Sequence, residues 1–279
     1  MKMNHIRYGN GAPLLLIHGI GGNWKSWMPV LDGLTAHREV IAIDLPGSGK
    51  TPPLTGETTI ATLADALMSF INAHGLQGID AVGSSMGARL VLEMVRRGDD
   101  LGSVVSLNPG GFWQGWQTNF FYSSVALSIR LVRLLNRVGL LPLLSGNFLT
   151  RSILFAQFSA HPWKLSSRNV YEELRAYATS PVFDQLLHNL TYGEKQKGSP
   201  EGTIKKPLVI GWGKGDRVCF PSQAKNALEH FPDAQLHWFH RCGHFPHWDQ
   251  PEQTIQLILK TTGKPTEVLH QAAQDSKIV

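Results

Sequence analysis

A chain of 279 residues with 42% hydrophobic content is long enough for one large core, and a single domain with an insertion fits it better than two independent domains. No apolar run approaches the roughly 18 residues needed to span a bilayer, and Met1 to His5 leads into no signal-peptide segment, so the expected compartment is the cytoplasm. The net charge of +5 resides wholly in residues 110–200, which hold nine Lys or Arg against four Asp or Glu; no nucleic-acid reader motif accompanies them, which sets nucleic-acid binding aside.

Pro13 to Ile17 reads as a buried strand, and His18-Gly19-Ile20-Gly21-Gly22 follows it directly. Val40 to Ile43 is a second strand, followed by the glycine-bearing loop Asp44-Leu45-Pro46-Gly47-Ser48-Gly49. Apolar spacing predicts a helix over about Thr59 to His74. The run Ile79 to Val82 then leads into Gly83-Ser84-Ser85-Met86-Gly87 and a helix over Met86 to Arg97, which is the sequence form of a strand-to-helix nucleophile elbow. Only Ser85 has glycine at both the minus-two and plus-two positions. A further strand, Val104 to Leu107, ends at Asn108-Pro109-Gly110, a stretch without a carboxylate.

Residues 110–206 break the alternation of strands and helices. They show no strand pattern and concentrate aromatic side chains, including Trp113, Trp116 and Phe120. Such a segment reads as a helical cap or lid over the carboxyl ends of the strands, where an open α/β sheet places its ligand. Trp113, Trp116 and Phe120, with Gly19, Gly21 and Phe245, are the expected substrate-binding positions. Within the segment, Val125 to Val138 reads as an apolar helix whose Arg130, Arg133 and Arg137 share a narrow face. A basic stripe on an apolar helix is one mark of a membrane-surface segment. The preferred reading is a lid helix with its apolar faces on pocket and core and its arginines in water.

After residue 206 the alternation resumes, with strands Leu208 to Gly211 and Gln235 to Phe239 and helices Ser222 to His230 and Pro251 to Thr261. Gly263 to Val279 is polar and reads as a tail. Each of the two late strands is followed by a candidate for acyl-transfer chemistry: Asp216 after the first, His244 after the second. A serine hydroxyl needs a base to take its proton and a carboxylate to orient that base, so Ser85, His244 and Asp216 form a complete set. Asp249 and Glu93 are competing carboxylates. Backbone N–H groups of Ile20 and Met86 are the expected oxyanion donors, with Gly21 the competitor of Ile20 and the ring of His18 structural. His240, His244 and His247, with Cys242 between them, have spacings that resemble a metal site, but a metal would consume the lone pair His244 needs as a base. No metal or organic cofactor is expected. Cys219 and Cys242 should lie in adjoining loops as buried thiols in preference to a disulfide.

With His18-Gly19, Asp44 to Gly49, Gly83 to Gly87, Gly215-Asp216 and Gly243-His244 in this order, the chain resembles the α/β-hydrolase superfamily over about residues 5 to 262. The resemblance implies an α/β fold: a mostly parallel central sheet flanked by helices, with a helical cap inserted after the sixth core strand. It divides the chain into a core of 1–109 and 207–262, a cap of 110–206 and a tail of 263–279. The family's nucleophile, acid and base fall on Ser85, Asp216 and His244, and the Asp44 loop becomes structural. The implied activity is a carboxylesterase: hydrolysis of small-molecule carboxylic esters with short to medium acyl chains. Carbon–carbon bond hydrolases of aromatic ring-cleavage products share the Ser-Met-Gly elbow and the cap, although their oxyanion loop usually reads His-Gly-Ser-Gly-Pro-Gly. Lactonase, perhydrolase and triad-retaining receptor functions use the same scaffold.

Overall fold

The computed structural model describes residues 2–263; the expected tail lies almost entirely outside them. Seven strands form one sheet: β1 (His5–Tyr8), β2 (Pro13–Ile17), β3 (Glu39–Ile43), β4 (Ile79–Ser84), β5 (Leu101–Leu107), β6 (Leu208–Gly213) and β7 (Gln235–Phe239). Their spatial order is β1-β3-β2-β4-β5-β6-β7, with β1 antiparallel to β3 and every other pair parallel.

The period of two in a strand sorts its side chains onto the two faces. Leu15 and Ile17 of β2 join Ile41, Ala81 and Val104 in one core. There they meet α2 (Ile60–Ala73) and α3 (Met86–Arg97), through Leu63, Leu67, Leu90 and Val91. Leu14 and Leu16 join Val40, Val82 and Val105 on the opposite face. That face is covered by α1 (Met28–Thr35) and the last described helix (Pro251–Thr262), through Leu31, Leu34 and Ile258. Burial on both faces is why the central strands are predominantly apolar along their length.

Between β5 and β6 lie five α-helices, one short 3-10 turn (Pro162–Lys164) and no strand: α4 (Trp116–Arg137), α5 (Leu141–Gly146), α6 (Phe148–Leu154), α7 (Ser167–Thr179) and α8 (Phe183–Tyr192). The insertion follows the fifth strand in chain order, not a sixth, because only the short antiparallel β1 precedes β2 among the described residues. The sequence reading also lacks β1 and α1. Four residues at a sheet edge, two of them exposed, carry too little apolar alternation to register. The helix of the insertion begins at Trp116, nine residues before the expected Val125.

Candidate active site

The elbow is built from β4, Ser85 and α3. Ser85 has φ 56° and ψ −114°, one of three non-glycine residues with positive φ among the described residues. Such a conformation is strained and persists only where the surroundings over-determine it. Here they do: a Cβ at Gly83 would lie 2.1 Å from the carbonyl oxygen of Gly87, and one at Gly87 would lie 2.3 Å from that of Ile17. Both positions exclude any side chain. The Ser85 N–H donates to the Leu107 carbonyl at 2.9 Å, fixing the turn to the neighbouring strand end.

Ser85 Oγ stands 2.9 Å from His244 Nε2, and His244 Nδ1 stands 2.9 Å from Asp216 Oδ2. An acceptor-only carboxylate at Nδ1 assigns the ring proton there and leaves the Nε2 lone pair toward the serine. Asp216 is held at both oxygens. Oδ1 accepts the N–H groups of Val218 and Cys219 at 2.8 and 3.0 Å, and Oδ2 accepts Asn108 Nδ2 at 2.5 Å. Asn108 itself is fully buried at the end of β5, with φ 49°, and its Oδ1 accepts the Gly213 N–H. The carboxylate-free stretch after β5 therefore supplies a donor that positions the acid, a role the sequence reading missed.

The competing carboxylates are engaged elsewhere. Asp249 accepts the N–H groups of Gly243 and Ala160, at 2.7 and 2.8 Å, and the Ser159 hydroxyl, so it ties the His244 loop to the insertion. Glu93 pairs with Arg96 and Arg97. The His244 N–H donates to the Phe158 carbonyl at 2.7 Å, a second tie between base and insertion.

The loop after β2 abuts the elbow: a Cβ at Gly19 would lie 3.1 Å from that of Ser85. His18 is buried, which lowers its pKa and keeps the ring neutral. Its Nε2 accepts the Leu45 N–H at 3.0 Å, and Nδ1 meets the Gly19 carbonyl at 2.6 Å. The Asp44 loop is a bracing element, in which Asp44 accepts N–H groups from Trp24 and Lys50.

An open cleft of about 820 Å³ leads to Ser85 and His244 and is lined otherwise by Gly19, Ile20 and Phe245 of the core and by the insertion. From α4 come Phe121, Val125, Ile129 and Val132; Phe158, Tyr177 and Phe183 complete the aromatic wall. Three expected binding aromatics are elsewhere. Trp113 is buried and stacks on Phe121 from behind at 4.2 Å, while Trp116 and Phe120 are exposed and pack on Phe220. They start on a different face of α4 from the Phe121 to Val132 stripe, whose spacing of four, four and three marks the buried side. Gly21 also misses the cleft. With φ 70° it packs under Phe183, where a Cβ would lie 2.5 Å away. Met86 is fully buried at the first turn of α3.

Among the described residues the only grouping with metal-ligand spacing is Asp216, Cys219 and His244. It suits a metal poorly. Both His244 nitrogens are occupied, and burial, followed by the Asp216 charge, pushes the Cys219 thiol up, away from the thiolate a metal requires. Cys219 and Cys242 are free, buried thiols in adjoining loops, joined by the Gly215 N–H to Cys242 carbonyl bond of 2.8 Å. His247 packs on Trp27 at 4.6 Å; burial, then the nearby His244, pushes it down to about 3.

One buried carboxyl was not foreseen. Glu173 of α7 accepts the Ser26 hydroxyl at 2.7 Å, and its neighbour Glu172 pairs with Lys25, so α7 is clasped to the loop that follows β2. Burial raises Glu173 to about 7, against the opposing hydrogen bonds of Ser26 and Tyr177. A carboxyl raised in the folded state stabilises the fold fully below its ordinary value of about 4.5, and that contribution is lost as pH rises through about 7. The loss amounts to about 3 kcal/mol between pH 4.5 and 8. Between pH 5 and pH 8, urea unfolding should show wild type losing about 2 to 3 kcal/mol relative to Glu173→Gln, in which the opposing contributions of the buried neutral His18 and His247 are the same; a constant difference would mean that Glu173 does not titrate in the fold.

With this geometry in view, the family model for the alpha/beta hydrolase fold matches residues 12–251, and the chain belongs to that family. A curated relative, the dihydrolipoyllysine-residue acetyltransferase component of the acetoin cleaving system of Cupriavidus necator, is 27% identical over 94% of this chain and 67% of its own length. A 2-hydroxy-6-oxononadienedioate/2-hydroxy-6-oxononatrienedioate hydrolase of Pseudomonas sp is 25% identical over 90% of this chain and 88% of its own. Among solved structures, a thermophilic esterase from Thermogutta terrifontis superposes with a TM-score of 0.69 at 19% identity, covering 92% of each chain.

Proposed function

We propose that this hydrolase-family chain cleaves carboxylic esters of apolar, short- to medium-length acyl groups through an acyl-enzyme on Ser85. The observation that carries the reading is the unbroken Ser85–His244–Asp216 hydrogen-bond chain at the floor of an apolar cleft. Ser85 Oγ attacks the acyl carbon while His244 Nε2 takes its proton, and Asp216 balances the imidazolium. The N–H groups of Ile20 and Met86 receive the oxyanion. His244 then protonates the departing alkoxide, the alcohol leaves, and water, deprotonated by His244, releases the acid and restores Ser85. No cofactor enters this sequence.

The carbon–carbon reading has a relative behind it, but that relative's substrate is by name a dioate with two carboxylates. The cleft here is lined by no lysine or arginine, which favours an uncharged acyl group. A p-nitrophenyl ester series from acetate to palmitate tests the proposal. Turnover from acetate through octanoate, weakening at palmitate, is expected; cleavage of a vinylogous diketone without ester turnover would transfer the assignment to carbon–carbon hydrolysis. A ligand receptor would release product far more slowly than the about 1 to 1,000 per second of typical enzymes.

A further inference from the structure

Beside its buried apolar stripe, the insertion carries a second set of apolar side chains that nothing in the fold covers. Leu127, Leu131 and Leu134 of α4 and Val138 at its C-cap follow one another at spacings of four, three and four, which places them in one stripe. All four are exposed, Leu127 at 70%. On α6, Leu149 and Ile153 form a second exposed pair one turn apart, Ile153 at 77%. Leu131 and Ile153 both line the cleft that holds Ser85, so the two stripes converge at its mouth. Scattered exposed leucines need no explanation, but a contiguous apolar patch around a binding-site opening marks an interaction surface.

Charge decides what covers it. Between Asp100 and Glu172 the sequence has no acidic residue at all, while Arg130, Arg133, Arg137, Arg151, Lys164 and Arg168 fall within that span. Arg133 is paired with Asp184, and Arg151 is buried against the Ser145 and Gly146 carbonyls. Arg130 and Arg137 are exposed, each three residues after a leucine of the α4 stripe, and so flank it; Lys164 and Arg168 are exposed as well. A second copy of the chain would set one predominantly basic rim against another, Asp184 being already engaged by Arg133. An anionic lipid surface accepts both the leucines and the arginines. No described helix is long and apolar enough to cross a membrane, so the geometry is that of a helix pair lying on the surface.

We propose that the outer face of α4 and α6 docks on an anionic lipid bilayer, with the cleft mouth opening onto the membrane, and that the ester is drawn from there. The docking is an independent claim; the nature of what is drawn rests on the ester-hydrolase reading. The test is sedimentation of the full chain with vesicles of phosphatidylcholine alone and of phosphatidylcholine with an equal amount of phosphatidylglycerol, beside size-exclusion chromatography. Wild type and Ser85→Ala should both pellet with the phosphatidylglycerol vesicles, about tenfold more strongly than with phosphatidylcholine alone. Leu127→Glu combined with Leu149→Glu, neither of which lines the cleft, should weaken that partition about tenfold and leave hydrolysis of dissolved p-nitrophenyl acetate unchanged. Wild type remaining in the supernatant overturns the docking, as does equal pelleting of the double variant. A dimer that the double substitution converts to monomer also overturns it, in favour of a second copy. Vesicle binding without any ester turnover would leave the docking intact and sink the ester reading alone.

Discussion

Ser85→Ala is expected to lower kcat/KM on p-nitrophenyl butyrate by about 10⁵-fold or more, with the thermal midpoint lowered by no more than about 4 °C. The size of the loss follows from the chain of bonds at the site. Oγ is the atom poised 2.9 Å from His244 Nε2, and without it the base has no proton to take and the acyl group no oxygen to join. The stability expectation has a separate cause. Position 85 holds φ 56° for either residue, so the strain remains, while alanine leaves the buried His244 Nε2 without its donor, a cost of about 1 kcal/mol. Retention of more than a hundredth of the wild-type rate would place the nucleophile elsewhere.

Asp216→Asn should cost about 10⁴-fold in kcat, more than its isosteric shape suggests. Every group around this carboxylate donates: the Val218 and Cys219 N–H groups to Oδ1, and Asn108 Nδ2 with the His244 ring to Oδ2. An amide has one accepting end. If its NH₂ faces His244, the ring must take the opposite tautomer, with the proton on Nε2 where the serine proton should go. If it faces Val218 and Cys219, donor meets donor in a buried site. Both orientations fail, the first in chemistry and the second in stability. Steady-state rates together with urea unfolding separate them, and activity within tenfold of wild type would show that another carboxylate orients the base.

The parts of this architecture that are legible in sequence are those fixed by short-range rules. β2 and β6 are buried on both faces and read as near-continuous apolar runs, and β4 and β5 do so at their centres, Ala81-Val82 and Val104-Val105. The elbow announces itself because two backbone contacts near 2 Å leave only glycine at positions 83 and 87. Asp216 and His244 follow strands whose ends meet at one side of a parallel sheet, so their convergence on Ser85 is a consequence of topology. What escaped depends on packing between distant segments. Glu173 is a buried carboxyl only because Ser26, 147 residues earlier, lies beneath it. Asn108 looks like a turn residue until β6 brings Asp216 to its amide. Aromatic content alone pointed to Trp113, Trp116 and Phe120, whereas the register of α4 turns Phe121 and Val125 to the cleft. The exposed leucines of the same helix were expected on the core because an apolar side chain is ordinarily buried, a rule that interaction surfaces break.

Hydrolysis by this site passes through a covalent acyl group on Ser85 in the mechanism proposed above. Wild-type protein mixed with p-nitrophenyl acetate and quenched in acid during the first turnovers should release a burst of p-nitrophenol equal to the enzyme present. Its digest should carry one acetyl group, on the peptide containing Ser85, and Ser85→Ala should show neither burst nor adduct. Steady hydrolysis with no burst and an unmodified Ser85 peptide, or an adduct at another residue, would contradict the account.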